Sequence, residues 1–65
     1  MTLYQFNLLD QTERAEILWD KGVHLANRQE KDFKILLYQV DGFYVEVWYD
    51  VNRNEISRLK SLPPK

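Results

Sequence analysis

The stretch ILLYQVDGFYVEVWYD, residues 35–50, decides the fold. β-branched and aromatic residues fill both of its halves, a composition typical of strands, and Asp41-Gly42 lies between them. A type I′ turn needs positive φ at both central residues, which Asp tolerates and Gly adopts freely. We therefore predict a hairpin with a two-residue loop, and this loop fixes which residues lie opposite one another.

The predicted register divides the sheet into two faces. The face expected to form the core, called the first face, is nearly all apolar and contains Leu36, Tyr38, Val40, Phe43, Val45, Val47 and Tyr49. The opposite face, called the second face, contains Phe33, Ile35, Leu37, Gln39, Tyr44, Glu46 and Trp48. Because a sheet with one solvated face normally alternates apolar and polar residues, the large apolar side chains of the second face raise the question of what covers them.

One helix is predicted before the sheet. Asp10 and Glu13 have the spacing of a capping box, so the helix should begin near Gln11. One helical stripe contains Ala15, Leu18, Trp19 and Gly22, with Ile17 at its edge. Gly22 is expected to end the helix with positive φ.

Two further strands flank the hairpin. Alternation after Gly22 predicts Val23 and Leu25 on the first face, and His24, Ala26 and Arg28 on the second. A three-residue loop of residues 52–54, with Asn54 in the left-handed conformation, places Leu59 on the first face and Arg58 and Lys60 on the second. A two-residue loop would instead bury both charges, which is too costly.

Together these elements predict an α+β, two-layer fold. One N-terminal helix packs on a four-stranded antiparallel β-meander, and residues 1–65 form a single small domain. A chain of this length buries only about 60% of its unfolded surface. Without cysteine it has no disulfide or thiolate metal site, so its stability must come from good packing or from self-association, and a homo-oligomer is one expectation.

Composition excludes several classes of function. Nine basic and ten acidic residues give a net charge of −1, which argues against a duplex-DNA binder. The sequence contains neither an apolar run long enough to span a membrane nor a signal peptide, so a cytoplasmic protein without membrane contact is expected.

The residues available for catalysis are few, and we expect no enzyme activity, no cofactor and no metal site. The sequence has a single histidine, His24, and two glycines that form no phosphate-binding loop. No partner for His24 is indicated within hydrogen-bonding reach, so we interpret it as an ordinary strand residue.

The second face is the predicted functional surface. Its proposed partner-binding residues are Phe33, Ile35, Leu37, Tyr44, Trp48, Arg28, Arg58 and Lys60. The leading hypothesis is a non-enzymatic interaction module that forms a homo-oligomer or binds a protein partner here, since aromatic residues and Arg are enriched at interfaces.

Three alternatives remain for the second face. Single-stranded nucleic acid could stack on its aromatic rings while the basic residues contact phosphates. Residues 2–6, with Tyr4 and Phe6, could instead fold across it. Finally, polar stems could cover the aromatic rings, with Arg58 stacked on Trp48, so that no partner is needed.

Overall fold

The computed structural model describes residues 1–64, which form two helices and one sheet. The elements are α1 (Leu3–Asn7), α2 (Gln11–Lys21), β1 (Val23–Glu30), β2 (Phe33–Val40), β3 (Phe43–Asp50) and β4 (Glu55–Leu62). All neighbouring strands are antiparallel, in the order β1-β2-β3-β4. This confirms the α+β class and the meander.

The start of α2 is confirmed, whereas the predicted conformation at its end is wrong. The Glu13 backbone N–H donates to Asp10 Oδ1 at 2.8 Å, and the Asp10 N–H donates to Glu13 Oε1 at 3.3 Å. Gly22 has φ −75° and is extended rather than left-handed. A Cβ at this position would lie 2.5 Å from the Leu18 carbonyl oxygen, so close approach of the backbone favours glycine here.

The prediction of a single helix is wrong, because α1 precedes α2. A capping box starts α1: the Thr2 hydroxyl accepts from the Gln5 N–H, and the Gln5 side chain accepts from the Thr2 N–H. Phe6 is fully buried, with its ring centroid 5.3 Å from that of Phe43. Since Phe43 belongs to the first face, residues 2–6 do not cover the second.

The β2–β3 register agrees with the prediction at every position from Phe33↔Asp50 to Val40↔Phe43. The expected type I′ turn is wrong, however, because only Asp41 has positive φ, at 50°, and Gly42 does not. The loop length, rather than the conformation of Gly42, therefore accounts for the correct register.

The β3–β4 connection is one residue longer than predicted. β3 ends at Asp50 and β4 begins at Glu55, although Asn54 has the expected positive φ, at 56°. A β-bulge leaves Ser57 without a partner and restores the predicted pairing from Trp48↔Arg58 onward. Arg58 therefore lies on the second face, as predicted.

The predicted faces of early β1 residues are wrong. A bulge at Leu25 places His24 opposite Tyr38 and Val23 opposite Gln39, and both Val23 and Leu25 are exposed. Beyond the bulge, Ala26 and Arg28 lie on the second face, as expected.

The core lies between the helices and the first face. Its buried members are Phe6, Leu18, Val40, Phe43, Val45, Val47 and Leu59. Trp19, predicted to pack on the core, is 57% exposed and makes an edge contact with Tyr38 at 5.9 Å between centroids. The apolar stripe of α2 is therefore narrower than the sequence predicts.

Candidate functional site

The second face carries no helix. Phe6 of α1 and Leu18 of α2 both belong to the core cluster of the first face, so the two helices pack on the same side of the sheet. Within residues 1–64, the second face is covered chiefly by its own side chains. Their contacts decide which parts of it remain accessible.

A charged network occupies the centre of this face. From β1, the Arg28 guanidinium reaches Glu46 of β3 and donates to its Oε2 at 2.9 Å. Trp48 Nε1 donates to the other carboxylate oxygen of Glu46 at 3.3 Å. Glu46 is only 8% exposed, so its carboxylate is held by two donors in a largely buried position.

The pKa of Glu46 lies below its ordinary value. Burial raises this pKa, but the hydrogen bonds from Arg28 and Trp48, with the charges of Arg28 and Lys60, together outweigh burial. The hydrogen bond to Glu46 in turn raises the pKa of Arg28. Glu46 is consequently ionised at neutral pH and neutralises Arg28.

Trp48 is the centre of an aromatic and cationic stack. The Arg58 guanidinium lies 4.4 Å from the Trp48 ring centroid, and that of Arg28 lies 5.9 Å away. Phe33 meets the same ring edge-on at 5.6 Å. The predicted stacking of Arg58 on Trp48 is therefore present.

Four of the eight predicted partner-binding residues are large apolar side chains that are partly buried: Phe33, Leu37, Tyr44 and Trp48. Ile35 is only 1% exposed, so it forms the floor of the face and is not accessible to a partner. The three basic residues, Arg28, Arg58 and Lys60, are exposed. The expected patch of five accessible apolar side chains is therefore wrong. Four of them are partly buried, Ile35 is buried, and the exposed basic side chains lie on the same face.

An apolar groove lies at one end of the second face. It has a volume of about 410 Å³ and is lined by Leu25, Leu37, Tyr44, Leu62 and Pro63. Sequence reasoning missed three of these residues. Leu62 could have been found, because it follows Arg58 and Lys60 at two-residue intervals on the same strand. Leu25 could not, because the bulge that turns it from the core is not visible in the pattern.

The cross-strand pairs arrange charge in rows along the second face. The first row is Glu30, Phe33, Asp50 and Glu55; the second is Arg28, Ile35, Trp48 and Arg58; the third is Ala26, Leu37, Glu46 and Lys60. The groove follows the third row. The face therefore changes from acidic to basic to apolar along the strand direction.

His24 lies away from this surface, in a correction to its predicted face. Its ring packs against Tyr38 with 5.3 Å between centroids, on the first face. Across residues 1–64, no three His, Asp or Glu side chains are grouped so that they could hold a metal ion. No helix in the same range has the length and apolar character needed to cross a membrane.

No protein-family model, curated protein or solved structure matches the chain. The physical character of the second face is therefore the basis for assigning a function.

Proposed function

We propose that the protein is a small, non-enzymatic interaction module that binds a partner protein in the cytoplasm through its second face. The observation that carries this proposal is the one-sided placement of both helices, so that nothing among residues 1–64 forms a second layer over the aromatic and cationic face of the sheet. Trp, Tyr and Arg, the residue types that dominate binding energy at interfaces, lie together there.

The dimensions of the second face suit a protein partner. Four strands of eight residues form a surface of about 26 by 19 Å from standard strand rise and spacing. This flat area of roughly 500 Å² is smaller than the roughly 800 Å² per partner of an ordinary protein interface, so it suits a short bound segment of a protein. The apolar groove offers an anchoring position, and Arg58 and Lys60 offer polar contacts at its side.

Single-stranded nucleic acid is the less favoured ligand. Arg58 already covers part of the Trp48 ring that a base would stack on, and the ring N–H is donated to Glu46. The carboxylates of Glu30 and Asp50 would repel a phosphate backbone that continued along the face. An extended protein segment needs no free ring to stack on, and its charged part can end before it reaches these carboxylates.

Site-specific photocrosslinking tests the proposal. A benzophenone amino acid replaces Tyr44 on the second face, and in a matched control it replaces Tyr4, an exposed residue of α1. We expect a protein adduct of defined mass from position 44 only, and we expect Trp48→Gln to reduce its yield while the circular dichroism spectrum stays that of a folded protein. Adducts from position 4 alone, or from neither position, would rule out the second face as the binding surface.

Sedimentation at several concentrations separates a partner from a second copy. We expect the isolated chain to stay monomeric. A dimer that Trp48→Gln dissociates would show that the second face binds another copy of the chain instead.

A further inference from the structure

We infer that the partner is an extended protein segment whose acidic residues contact Arg58 and Lys60 and whose next large apolar side chain enters the groove. The inference rests on the proposed function and specifies the chemistry of the partner. Two unpaired cations and their spacing on β4 support it.

The unpaired charge beside the groove is positive. Arg28 is paired with Glu46 at 2.9 Å and lies 3.7 Å from Glu30, so its charge is compensated within the chain. Among residues 1–64, neither Arg58 nor Lys60 has a carboxylate within ion-pair distance. Two cations on the same face of β4 are therefore available to a ligand.

Arg58 is already oriented for recognition of an anion. Its guanidinium stacks on Trp48, which is a hydrogen-bonded, partly buried ring. Stacking uses the flat face of the guanidinium and leaves the in-plane N–H groups free to form two parallel hydrogen bonds to a carboxylate. Less side-chain freedom is then lost on binding than for an unsupported arginine.

The spacing on β4 specifies the order of the segment. Arg58, Lys60 and Leu62 follow one another at two-residue intervals, which separates them by about 6.7 Å each along a strand. An extended segment beside them repeats at the same interval. It would therefore carry acidic residues two positions apart, followed two positions later by a large apolar residue, or the same order reversed.

A second copy of the chain fits this surface less well. Its second face carries the same uncompensated cations, so two such faces stacked in register oppose like charges. On the side of Arg58 away from the groove, the carboxylates of Asp50 and Glu55 would repel an acidic segment. Such a segment can therefore extend from Arg58 only toward the groove. Charge complementarity thus favours a different, acidic protein.

Selection from an unbiased library of displayed twelve-residue peptides tests the inference with the full chain immobilised. We expect enriched peptides to share the acidic, acidic, apolar pattern at alternate positions. Their affinity is then measured by the fluorescence anisotropy of a dye-labelled peptide, which reports binding to every variant, including those that lack Trp48. We expect Arg58→Gln and Lys60→Gln each to weaken binding about tenfold, as for loss of one charge-assisted hydrogen bond.

Lys34→Gln is the matched control, because Lys34 is an exposed cation on the first face and should leave affinity unchanged. Circular dichroism establishes that each variant is folded.

The selected peptides could instead be neutral or basic and lose their binding in Trp48→Gln. This result would overturn the acidic partner but support the proposed function. The inference would be overturned if no peptide were enriched, or if the enriched peptides bound independently of Trp48. Binding that is independent of Trp48 would also contradict the second face as the binding surface. Salt-dependent binding of an oligouridylate that requires Arg58 and Lys60 would overturn both the inference and the proposed function, in favour of a nucleic-acid-binding function.

Discussion

Gly22 shows that the surroundings of a residue can require glycine where its dihedral angles do not, and Gly42 provides the contrast. Neither residue has positive φ. A Cβ on Gly22 would meet the Leu18 carbonyl oxygen, whereas a Cβ on Gly42 would have no heavy atom within 4 Å among the described residues. The two positions therefore differ in steric space, at the junction of α2 with β1 and at the tip of a hairpin.

We predict that Gly22→Ala destabilises the protein by about 1 to 3 kcal/mol, because the backbone must shift to relieve the contact with Leu18. Gly42→Ala is the matched control. It should leave stability unchanged or raise it by up to about 1 kcal/mol through the unfolded state. Urea unfolding of both variants measures the difference, and equal losses would contradict the steric reason given for Gly22.

Glu46 gives the second face a pH-dependent contribution to stability. Its pKa is lowered in the folded protein, so the ionised form is stabilised relative to the unfolded chain. This contribution is fully present above the unfolded pKa of about 4.3 and is lost as the pH falls through the lower folded value. It is therefore complete at pH 7.

We predict that Glu46→Gln lowers stability at pH 7 by about 1 kcal/mol. Arg28 and Trp48 donate to different oxygens of the carboxylate, whereas the amide has a single acceptor oxygen, so one of the two hydrogen bonds is lost. The difference between parent and variant should shrink as the pH falls through the lowered folded pKa of Glu46, where the parent carboxylate is also protonated. Thermal melts across this range measure it. A control substitution at exposed Glu16 should change stability by less than about 0.5 kcal/mol, and a Glu46→Gln effect that grows in acid would have the wrong sign.

Among the elements, α1 is short but contributes a fully buried side chain to the core. Phe6 lies against Phe43, and the Arg14 side chain of α2 donates to the Phe6 carbonyl oxygen at 3.2 Å and to the Asn7 carbonyl oxygen at 2.8 Å. A helix of five residues has little stability by itself. Its stability therefore comes from these tertiary contacts.

We predict that Phe6→Ala destabilises the protein by about 3 to 5 kcal/mol, enough to unfold much of a domain this small. Tyr4→Ala in the same helix should cost less than about 1 kcal/mol, because Tyr4 is 74% exposed. Circular dichroism melts compare the two. A folded Phe6→Ala variant with a parental melting temperature would show that α1 does not complete the core.

The strand β1 is the least protected part of the sheet. All eight of its residues are exposed, it lies at the sheet edge, and a bulge interrupts its pairing with β2. Local opening of such a strand costs less free energy than global unfolding.

We predict that amides of β1 that pair with β2 exchange with solvent at least about tenfold faster than those that pair β2 with β3. Hydrogen exchange followed by NMR measures both sets in one experiment. Identical protection would mean that the whole sheet opens as one unit.

In the whole molecule, stability comes mainly from one side of the sheet. Leu18 is 1% exposed and packs on the first face, whereas Leu37 lies half-buried beside the groove on the second. The same truncation at the two positions therefore compares the two faces directly.

We predict that Leu18→Ala costs about 2 to 5 kcal/mol, and that Leu37→Ala costs less than half as much because water already reaches the site. Only Leu37→Ala should weaken partner binding. Denaturant unfolding and the peptide titration give the two readouts, and a larger stability loss at Leu37 would identify the second face as a core face.

Local chemistry made part of this fold predictable from the sequence. Asp10 and Glu13 mark the start of α2 because a capping box involves residues three positions apart. Asp41-Gly42 fixes the β2–β3 register because a two-residue loop leaves one arrangement of opposing pairs. The cost of burying Arg58 then sets the face of β4.

Tertiary structure alone decided the rest. The position of α1 depends on Phe6 meeting Phe43, residues distant in the chain, and no local signal records that contact. The bulge at Leu25 lies in the pairing of β1 with β2, and it leaves Val23 and Leu25 outside the core. The burial of Ile35 likewise could not be predicted, because the Arg28 side chain extends from β1 across β2 to reach Glu46 on β3. Sequence patterns predict the face of the sheet on which a residue lies. Whether a neighbouring side chain covers that residue depends on contacts between separate strands, which only the packed structure shows.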